Sequence, residues 1–344
     1  MSDLFLLLLL VPAATAALLA YGGIAGCIGW LKQRALAKPN ERSSHSVPTP
    51  QAGGIIVVPV ALLAAAAALA ASGATLPGGM FHWAIVCAAA LALTAIGCID
   101  DMRGLSVRFR LLSQVVAVVV AVTVMPADLR MLPEVIPLPA ERAALIAAAL
   151  WFVNLFNFMD GIDLISVVET VAITLGIAIL AAFGSVPAAY GIIAVALLGA
   201  MVGFAPWNSP PARLFLGDAG SIPIGFLLAI LLIHLGAAGG LAAAVILPLY
   251  YLADATLTLV RRFMRGERLW EAHRAHFYQQ ATRNGLTVVE TVGRIAVLDA
   301  VLIALAVGSV LHGRLWAAFA GLTAAAAVGA TLRTFARGKR QDAP

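Results

Sequence analysis

The sequence predicts an all-α protein that crosses a membrane about ten or eleven times. Of its 344 residues, 62% are hydrophobic and only 11% are charged, and the mean hydropathy is +0.98. Soluble domains carry about 25% charged residues, so this composition is typical of an integral membrane protein. Residues 61–71 are an unbroken run of Ala and Leu, whereas a membrane barrel would alternate polar and apolar positions. We therefore expect one helical membrane domain over 1–344.

Eleven apolar stretches approach or reach the length of a membrane helix, which needs about 17 to 25 residues. In chain order they cover 5–31, 55–71, 81–99, 111–125, 143–158, 167–183, 187–205, 222–235, 241–260, 292–311 and 315–331. The connection at 236–240 is very short, so ten spans is the alternative count. The first stretch is too long for a signal-peptide core and has no basic segment before it, so we expect it to be retained.

The distribution of positive charge predicts the orientation. With the N-terminus outside, the cytoplasmic segments receive the basic residues of 32–42, 103–110, 261–283 and 333–340, together with Arg213. The outside is left with only Arg130, Arg142 and Arg314. Because cytoplasmic loops are enriched in Lys and Arg, this asymmetry predicts an outside N-terminus and a cytoplasmic C-terminus. Every polar cluster described below then lies on the cytoplasmic face.

Residues 154–163 hold two amides and two carboxylates within an otherwise apolar part of the chain. Asn154, Asn157 and Asp160 recur at a spacing of three, which places them roughly on one face of a helix. Gly161 allows the chain to turn before Asp163. Helix capping is the alternative explanation, but a cap needs one such side chain rather than four. We expect these four residues to bind a substrate at the membrane surface.

Two adjacent carboxylates, Asp100 and Asp101, end the third span. Neighbouring carboxylates repel, so at the end of an apolar helix they indicate a bound metal ion or a shared proton. Arg108 and Arg110 open the next span. They either extend to lipid headgroups or receive an anionic lipid substrate, and the sequence does not distinguish these roles.

The loop at 38–54 contains His45, the segment Pro48-Thr49-Pro50 and the pair Gly53-Gly54. It is either an ordinary basic loop that sets topology or part of a substrate site. The glycine pair directly before a span allows close approach of a phosphate, so we expect donors such as His45 to contact substrate.

A small-residue segment, Gly-Asp-Ala-Gly-Ser at 217–221, leads directly into the eighth span. Such a loop at a helix N-terminus is suited to a phosphate, and Asp218 is suited to the Mg²⁺ that accompanies a diphosphate, with Mn²⁺ as an alternative. A plain helix cap is the other explanation for Asp218. Phe215 either stacks on a base or packs in lipid.

The longest cytoplasmic segment, 261–283, is rich in arginine and contains His273 and His276. The two histidines lack obvious partners for a zinc site, so phosphate binding or proton transfer suits them better. A basic interfacial helix is the alternative explanation for the arginines. Asp254 lies within the ninth span and is expected to be functional or paired. Together, the clusters predict metal-assisted phosphoryl transfer at a membrane surface.

These motifs resemble, in order and over nearly the whole chain, the polyprenyl-phosphate N-acetylhexosamine-1-phosphate transferases. The resemblance implies transfer of a sugar 1-phosphate from a UDP-N-acetylhexosamine to undecaprenyl phosphate in the bacterial cytoplasmic (inner) membrane, with Mg²⁺ and release of UMP. It also implies a role for each motif. Asp218 would hold the metal, Asp100 and Asp101 would serve the lipid phosphate or act as base, Asp160 and Asp163 would line the nucleotide pocket, Phe215 would stack on uracil, and His273 and His276 would contact the diphosphate.

The histidine segment reads His273-Arg274-Ala275-His276, unlike the three consecutive histidines or the His-x-His-His of the better-known branches. It resembles the branch that begins O-antigen or similar surface glycans with a 6-deoxy N-acetylhexosamine. UDP-N-acetylglucosamine and muramoyl-pentapeptide donors are the alternatives. A secondary transporter is the distant alternative, although transporters place ionisable groups near the bilayer centre. We expect membrane lipids as partners and no nucleic acid, and the sequence leaves a homodimer open.

Overall fold

The computed structural model describes residues 3–37, 48–133, 135–268 and 274–337, with side chains from residue 7 onward. Over these residues the protein is almost entirely helical, which confirms the predicted all-α class. The helices are α1 Asp3–Arg34, α2 Gly54–Ser72, α3 Gly79–Arg103, α4 Val107–Thr123, α5 Leu138–Met159, α6 Ile165–Ala182, α7 Ala188–Asn208, α8 Asp218–Leu235, α9 Leu241–Ile246, α10 Leu249–Met264, α11 Phe277–Arg283, α12 Val288–Leu311 and α13 Arg314–Arg337. Two short strands, β1 Leu36–Ala37 and β2 Thr49–Pro50, pair antiparallel.

Nine helical runs within the described residues are long and apolar enough to cross a membrane. Two further predicted stretches correspond to α4 and α10, which have 17 and 16 residues. The chain is therefore a multi-pass membrane protein, as the composition predicts.

The predicted ninth span, 241–260, is two helices rather than one. Helix α9 ends at Ile246 and α10 begins at Leu249, with Pro248 between them. Proline has no backbone N–H and its ring clashes with the preceding turn, so the helix breaks there. Before α9 the chain bends within 236–240, where Gly239 has a φ of 92° that glycine adopts without strain.

Helices α6, α7 and α8 form the centre of the bundle, and α1 and α13 are among its most exposed spans. Helix α1 packs closely on α7 because Gly199 and Gly203 present no side chain to it. A Cβ atom at either position would lie 2.1 or 2.2 Å from a carbonyl oxygen of α1. This small-xxx-small spacing is common where membrane helices approach closely.

Glycines also bring α2 and α3 against the start of α8. A Cβ atom on Gly54 would lie 2.2 Å from the backbone of Gly220, and one on Gly97 would lie 2.4 Å from the carbonyl oxygen of Asp218. The N-terminus of α8 is thus held between the start of α2 and the end of α3. This contact gathers polar residues from distant parts of the sequence.

Candidate active site

Two carboxylates from different helices converge on one guanidinium group at this end of the bundle. Nη1 of Arg110, on α4, donates to Oδ2 of Asp100 at 2.8 Å and to Oδ2 of Asp218 at 2.6 Å. Asp100 ends α3 and Asp218 begins α8. We call Asp100, Asp101 and Asp218, with Arg110, the carboxylate cluster. Three carboxylates against one guanidinium favour an additional cation or proton.

Asp101 has a different set of partners from its neighbour. Its carboxylate accepts the backbone N–H groups of Asp218 and Ala219, each at 3.1 Å, and so caps the N-terminus of α8. A carboxylate at a helix N-terminus satisfies unpaired donors and is stabilised by the helix dipole. Asp101 therefore fixes the position from which the Asp218 side chain extends.

Asn157, in the last turn of α5, connects a fourth helix to the cluster. Its amide nitrogen donates to Oδ1 of Asp218 at 2.9 Å and lies 2.8 Å from Oγ of Ser221. The Ser221 hydroxyl donates to the carbonyl of Gly217 at 3.0 Å. Both oxygens of Asp218 thus have fixed partners, Arg110 and Asn157, which orient the carboxylate.

The turn before α8 requires glycine. Gly217 has a φ of 72°, in the left-handed region, and a Cβ atom there would lie 2.3 Å from Oδ2 of Asp101. A side chain would therefore be strained and would displace the cap. This accounts for the glycine of the predicted phosphate-type loop through its contact with Asp101.

Asp160 and Asp163 lie in the short connection between α5 and α6. Oδ1 of Asp160 accepts the Ser166 hydroxyl at 2.7 Å. The pKa of Asp160 is raised to about 7, mainly by burial; the hydrogen bond from Ser166 lowers it, and the charges of Asp218 and Asp163 add to the increase. Asp163 is buried and accepts the backbone N–H of Ala212 at 3.0 Å, so it joins this connection to the loop before α8.

The described part of the predicted 38–54 loop pairs with the segment before α8. The N–H of Phe215 donates to the carbonyl of Pro50 at 2.8 Å, and the N–H of Gly53 donates to the carbonyl of Phe215 at 3.0 Å. The Gln51 amide donates to the carbonyl of Asp101 at 2.8 Å. These backbone hydrogen bonds hold Phe215, which is half-buried, beside the cluster. The sequence does not predict them.

Asp254, on α10, and His276, just before α11, form a buried pair. Oδ1 of Asp254 lies 3.2 Å from Nδ1 of His276 and accepts the N–H of Phe277 at 2.9 Å. Oδ2 accepts the N–H of Tyr278 and the Tyr250 hydroxyl, both at 3.1 Å. The predicted pairing of Asp254 is therefore present, and it fixes the start of α11.

Other predicted site residues are placed apart from the cluster or lie outside the described residues. The Asn154 amide donates to the carbonyl of Leu150 on its own helix, at 2.8 Å. Arg108 is exposed at the start of α4. His45 and His273 lie outside the described residues, so their predicted contacts with substrate stay predictions.

Sequence reasoning missed two contributors to the cluster. Arg110 was considered only for lipid contact, although its position after two acidic residues and a turn was a usable signal. Ser221 was noted only as part of the small-residue loop. Gly97 gave no sequence signal, because its importance comes from contact with a helix more than 100 residues away in sequence.

The cluster fits a magnesium ion that is held partly by the protein and partly by substrate. Within the described residues no three His, Cys, Asp or Glu side chains form a group that could hold a metal by themselves. Mg²⁺ is commonly bound by one or two carboxylates together with substrate phosphates and waters. Asp100 and Asp218, whose Oδ2 atoms meet at one donor, provide two such carboxylates.

The fold and the cluster define a multi-pass membrane protein with an acidic site at the meeting point of its helix ends. A family model for glycosyl transferase family 4 matches residues 83–236, which include all members of the carboxylate cluster. Over this region the chain is therefore similar to glycosyl transferase family 4.

Three relatives illustrate the similarity. The chain is 32% identical over 235 residues to a decaprenyl-phosphate N-acetylglucosaminephosphotransferase of Mycobacterium leprae, covering 62% of this chain and 58% of the relative. It is 25% identical over 270 residues to a probable undecaprenyl-phosphate N-acetylglucosaminyl 1-phosphate transferase of Bacillus subtilis, covering 75% and 72%. It is 28% identical over 218 residues to a phospho-N-acetylmuramoyl-pentapeptide-transferase of Synechococcus, covering 58% and 60%. The chain thus spans well under two thirds of the mycobacterial relative.

Proposed function

We propose that this protein transfers an N-acetylhexosamine 1-phosphate from a UDP-sugar to undecaprenyl phosphate, giving undecaprenyl-diphospho-sugar and UMP. We place this reaction at the cytoplasmic face of a bacterial inner membrane, with the N-terminus outside and the C-terminus inside. The observation that carries the proposal is the convergence of Asp100 and Asp218 on Arg110 at the helix ends. The names of the relatives support the same class of reaction.

The reaction joins two anions. An oxygen of the lipid phosphate attacks the phosphorus bonded to the sugar. The bond from that phosphorus to the bridging oxygen breaks, and UMP leaves with the electron pair. Negative charges must approach one another, so cationic groups are needed to stabilise the transition state. Bound Mg²⁺ supplies this neutralisation on the diphosphate.

The residues of the cluster divide these tasks. Asp218 and Asp100 are the proposed metal ligands, and Asn157 holds the first of them in place. We propose that the Arg110 guanidinium donates hydrogen bonds to a substrate phosphate. Asp101 is a positioning residue, since both of its oxygens already accept N–H groups of α8.

Nucleotide binding is proposed for the adjacent loops. Asp160 and Asp163 border the cluster on one side, and Phe215 lies beside the 217–221 turn with its ring half-buried. A partly exposed aromatic ring next to a phosphate site is suited to stacking on uracil. His276 is 2% exposed and bound to Asp254, so we propose that it orders the start of α11.

Two donor sugars are candidates for this reaction. The His273-Arg274-Ala275-His276 segment favours a 6-deoxy N-acetylhexosamine and a role at the start of O-antigen (lipopolysaccharide) synthesis. The mycobacterial and Bacillus relatives favour UDP-N-acetylglucosamine and cell-wall synthesis instead. Both candidates use the same chemistry at the carboxylate cluster.

The test is to incubate purified protein with undecaprenyl phosphate and a panel of UDP-N-acetylhexosamines, with and without Mg²⁺, and to measure UMP. We expect UMP with one donor, and its loss without metal and in Asp218→Ala. Arg103→Gln is the matched control, because Arg103 is exposed at the same end of α3. Folded protein that releases no UMP from any donor would overturn the proposed reaction.

A further inference from the structure

A second polar cavity lies on the same side of the protein as the carboxylate cluster but is built from different helices. It has a volume of about 570 Å³ and is lined from α10, α11 and α13. We call it the arginine pocket, because five of its described lining residues are arginines: Arg261, Arg262, Arg265, Arg274 and Arg283. None of the described lining residues is acidic. No side chain of the carboxylate cluster comes from these helices.

The walls of the arginine pocket are fixed by contacts that leave it strongly positive. Arg261 stacks over the ring of Phe277, with its guanidinium carbon 4.6 Å from the ring centroid. Arg262 is buried and paired with Glu267 at 2.8 Å. The Asn284 amide donates to the carbonyls of Phe335 and Ala336, each at 3.0 Å, and so joins α11 to the end of α13. Among the described residues, Glu267 contacts both Arg262 and, at 4.0 Å, Arg265.

The arginine pocket opens where exposed apolar side chains indicate the membrane surface. Phe263 is 71% exposed and Met264 is 80% exposed, and both stand between Arg262 and Arg265 in the last turn of α10. Arg265 and Arg283 are themselves exposed. Large exposed apolar groups beside arginines, at the end of a bundle of membrane helices, are typical of the boundary between acyl chains and headgroups.

We propose that the arginine pocket binds the phosphate-bearing headgroup of an anionic membrane lipid. Basic pockets between membrane helices on the cytoplasmic side bind such headgroups, and guanidinium groups match phosphate geometry. Phe263 and Met264 would contact the acyl chains while Arg265 and Arg283 contact the phosphate. These proposed lipid contacts use no residue of the carboxylate cluster.

The test compares lipid binding by native mass spectrometry of the detergent-purified protein. The probes are phosphatidylglycerol, phosphatidylcholine with the same acyl chains, and inorganic phosphate as a soluble competitor. Each arginine near an anionic headgroup is expected to contribute about fivefold to affinity, so Arg265→Gln with Arg283→Gln should weaken phosphatidylglycerol binding by roughly 25-fold. Arg294→Gln with Arg333→Gln is the control, since both arginines are exposed and lie outside the pocket.

Retained phosphatidylglycerol in the wild type and control, with loss in the pocket variant at an unchanged melting temperature, would support the proposal. Equal binding of phosphatidylglycerol by both double variants would overturn it. Equal binding of phosphatidylcholine and phosphatidylglycerol by the wild type would also overturn it, because the headgroup charge would then be irrelevant. Binding of inorganic phosphate without either lipid would assign the pocket to a soluble anion and overturn the lipid site.

Discussion

Helices α3 and α8 are joined by polar side chains at both of their ends, but the two junctions differ in kind. At one end Asp101 accepts the N–H groups of Asp218 and Ala219 beside charged neighbours. At the other end Nε2 of His82 lies 3.0 Å from Nε2 of His234, whose Nδ1 lies 2.9 Å from the Tyr190 hydroxyl. His82 and His234 are fully buried, whereas the Asp218 and Arg110 side chains are 19% and 31% exposed.

The two ends of the α3–α8 pair therefore suit different roles: the histidine end stabilises the packing, and the carboxylate end offers polar groups to a ligand. The histidine end is closed and aromatic, with Trp83 packed 5.0 Å from the His234 ring, so a substrate has no access to it in this structure. The carboxylate end is partly open and has excess negative charge. Both ends fix the spacing of α3 and α8, but only the carboxylate end offers exposed groups that a charged substrate can contact.

Arg110→Met should give the largest effect, because it removes the guanidinium from between Asp100 and Asp218. Loss of one preorganised charged donor typically costs about 10²–10³ in turnover. UMP release should fall by that factor while the melting temperature changes little, since Arg110 is partly exposed. Arg103→Gln should stay near wild type. An Arg110→Met protein of normal activity would remove this residue from the proposed site.

His234→Phe tests the role of the histidine end of the α3–α8 pair. The change removes both hydrogen bonds of His234 and leaves the Tyr190 hydroxyl and Nε2 of His82 buried without that partner. Each unsatisfied buried group costs about 1–3 kcal/mol, so the melting temperature should fall clearly. Turnover per folded molecule should stay within about twofold of wild type. A collapse in turnover at an unchanged melting temperature would show that the histidine end takes part in catalysis.

Gly97→Ala should lower both the stability of the protein and its rate of UMP release. The new Cβ atom would meet the carbonyl oxygen of Asp218 at 2.4 Å, so α3 and α8 must separate. Overpacking of this kind costs about 1–3 kcal/mol, and the Asp101 cap would be displaced with it. Melting temperature and UMP release should both fall. Gly293→Ala is the control, because nothing lies within 4 Å of its Cβ position; equal behaviour of the two variants would contradict the close contact.

Composition and local pattern predicted the helical class, most of the helices and the acidic candidates, since these depend on neighbours in the sequence. The separate roles of Asp100 and Asp101 could not be predicted. Successive helical residues point about 100° apart, so one reaches Arg110 while the other reaches the N-terminus of α8. The spacing of three from Asn154 to Asn157 likewise did not show that Asn154 bonds its own helix.

Partners far apart in sequence were also beyond prediction. Arg110 and Asp218 are separated by 108 positions, and His82 and His234 by 152. The first pair joins α4 to α8 and the second joins α3 to α8, so both depend on the packing of helices that are distant in sequence, which no periodicity in these helices predicts. A single histidine in an apolar run carries no signal about its partner. The sequence therefore predicts which residues are candidates for the site, but not which of them contact one another.

Asp160→Asn should change stability by an amount that depends on pH. Asp160 has a pKa of about 7 in the folded protein, mainly through burial, and 3.8 as the ordinary value. Its contribution to stability is thus full below about pH 4, declines as pH rises, and is lost above about pH 7. Asparagine stays neutral and its oxygen can still accept the Ser166 hydroxyl, so the variant should not show this decline. The melting temperature of the variant should therefore exceed that of the wild type by a margin that grows from pH 4 to pH 8. A margin independent of pH would mean that Asp160 titrates at its ordinary value, and that the connection between α5 and α6 is better hydrated than this structure indicates.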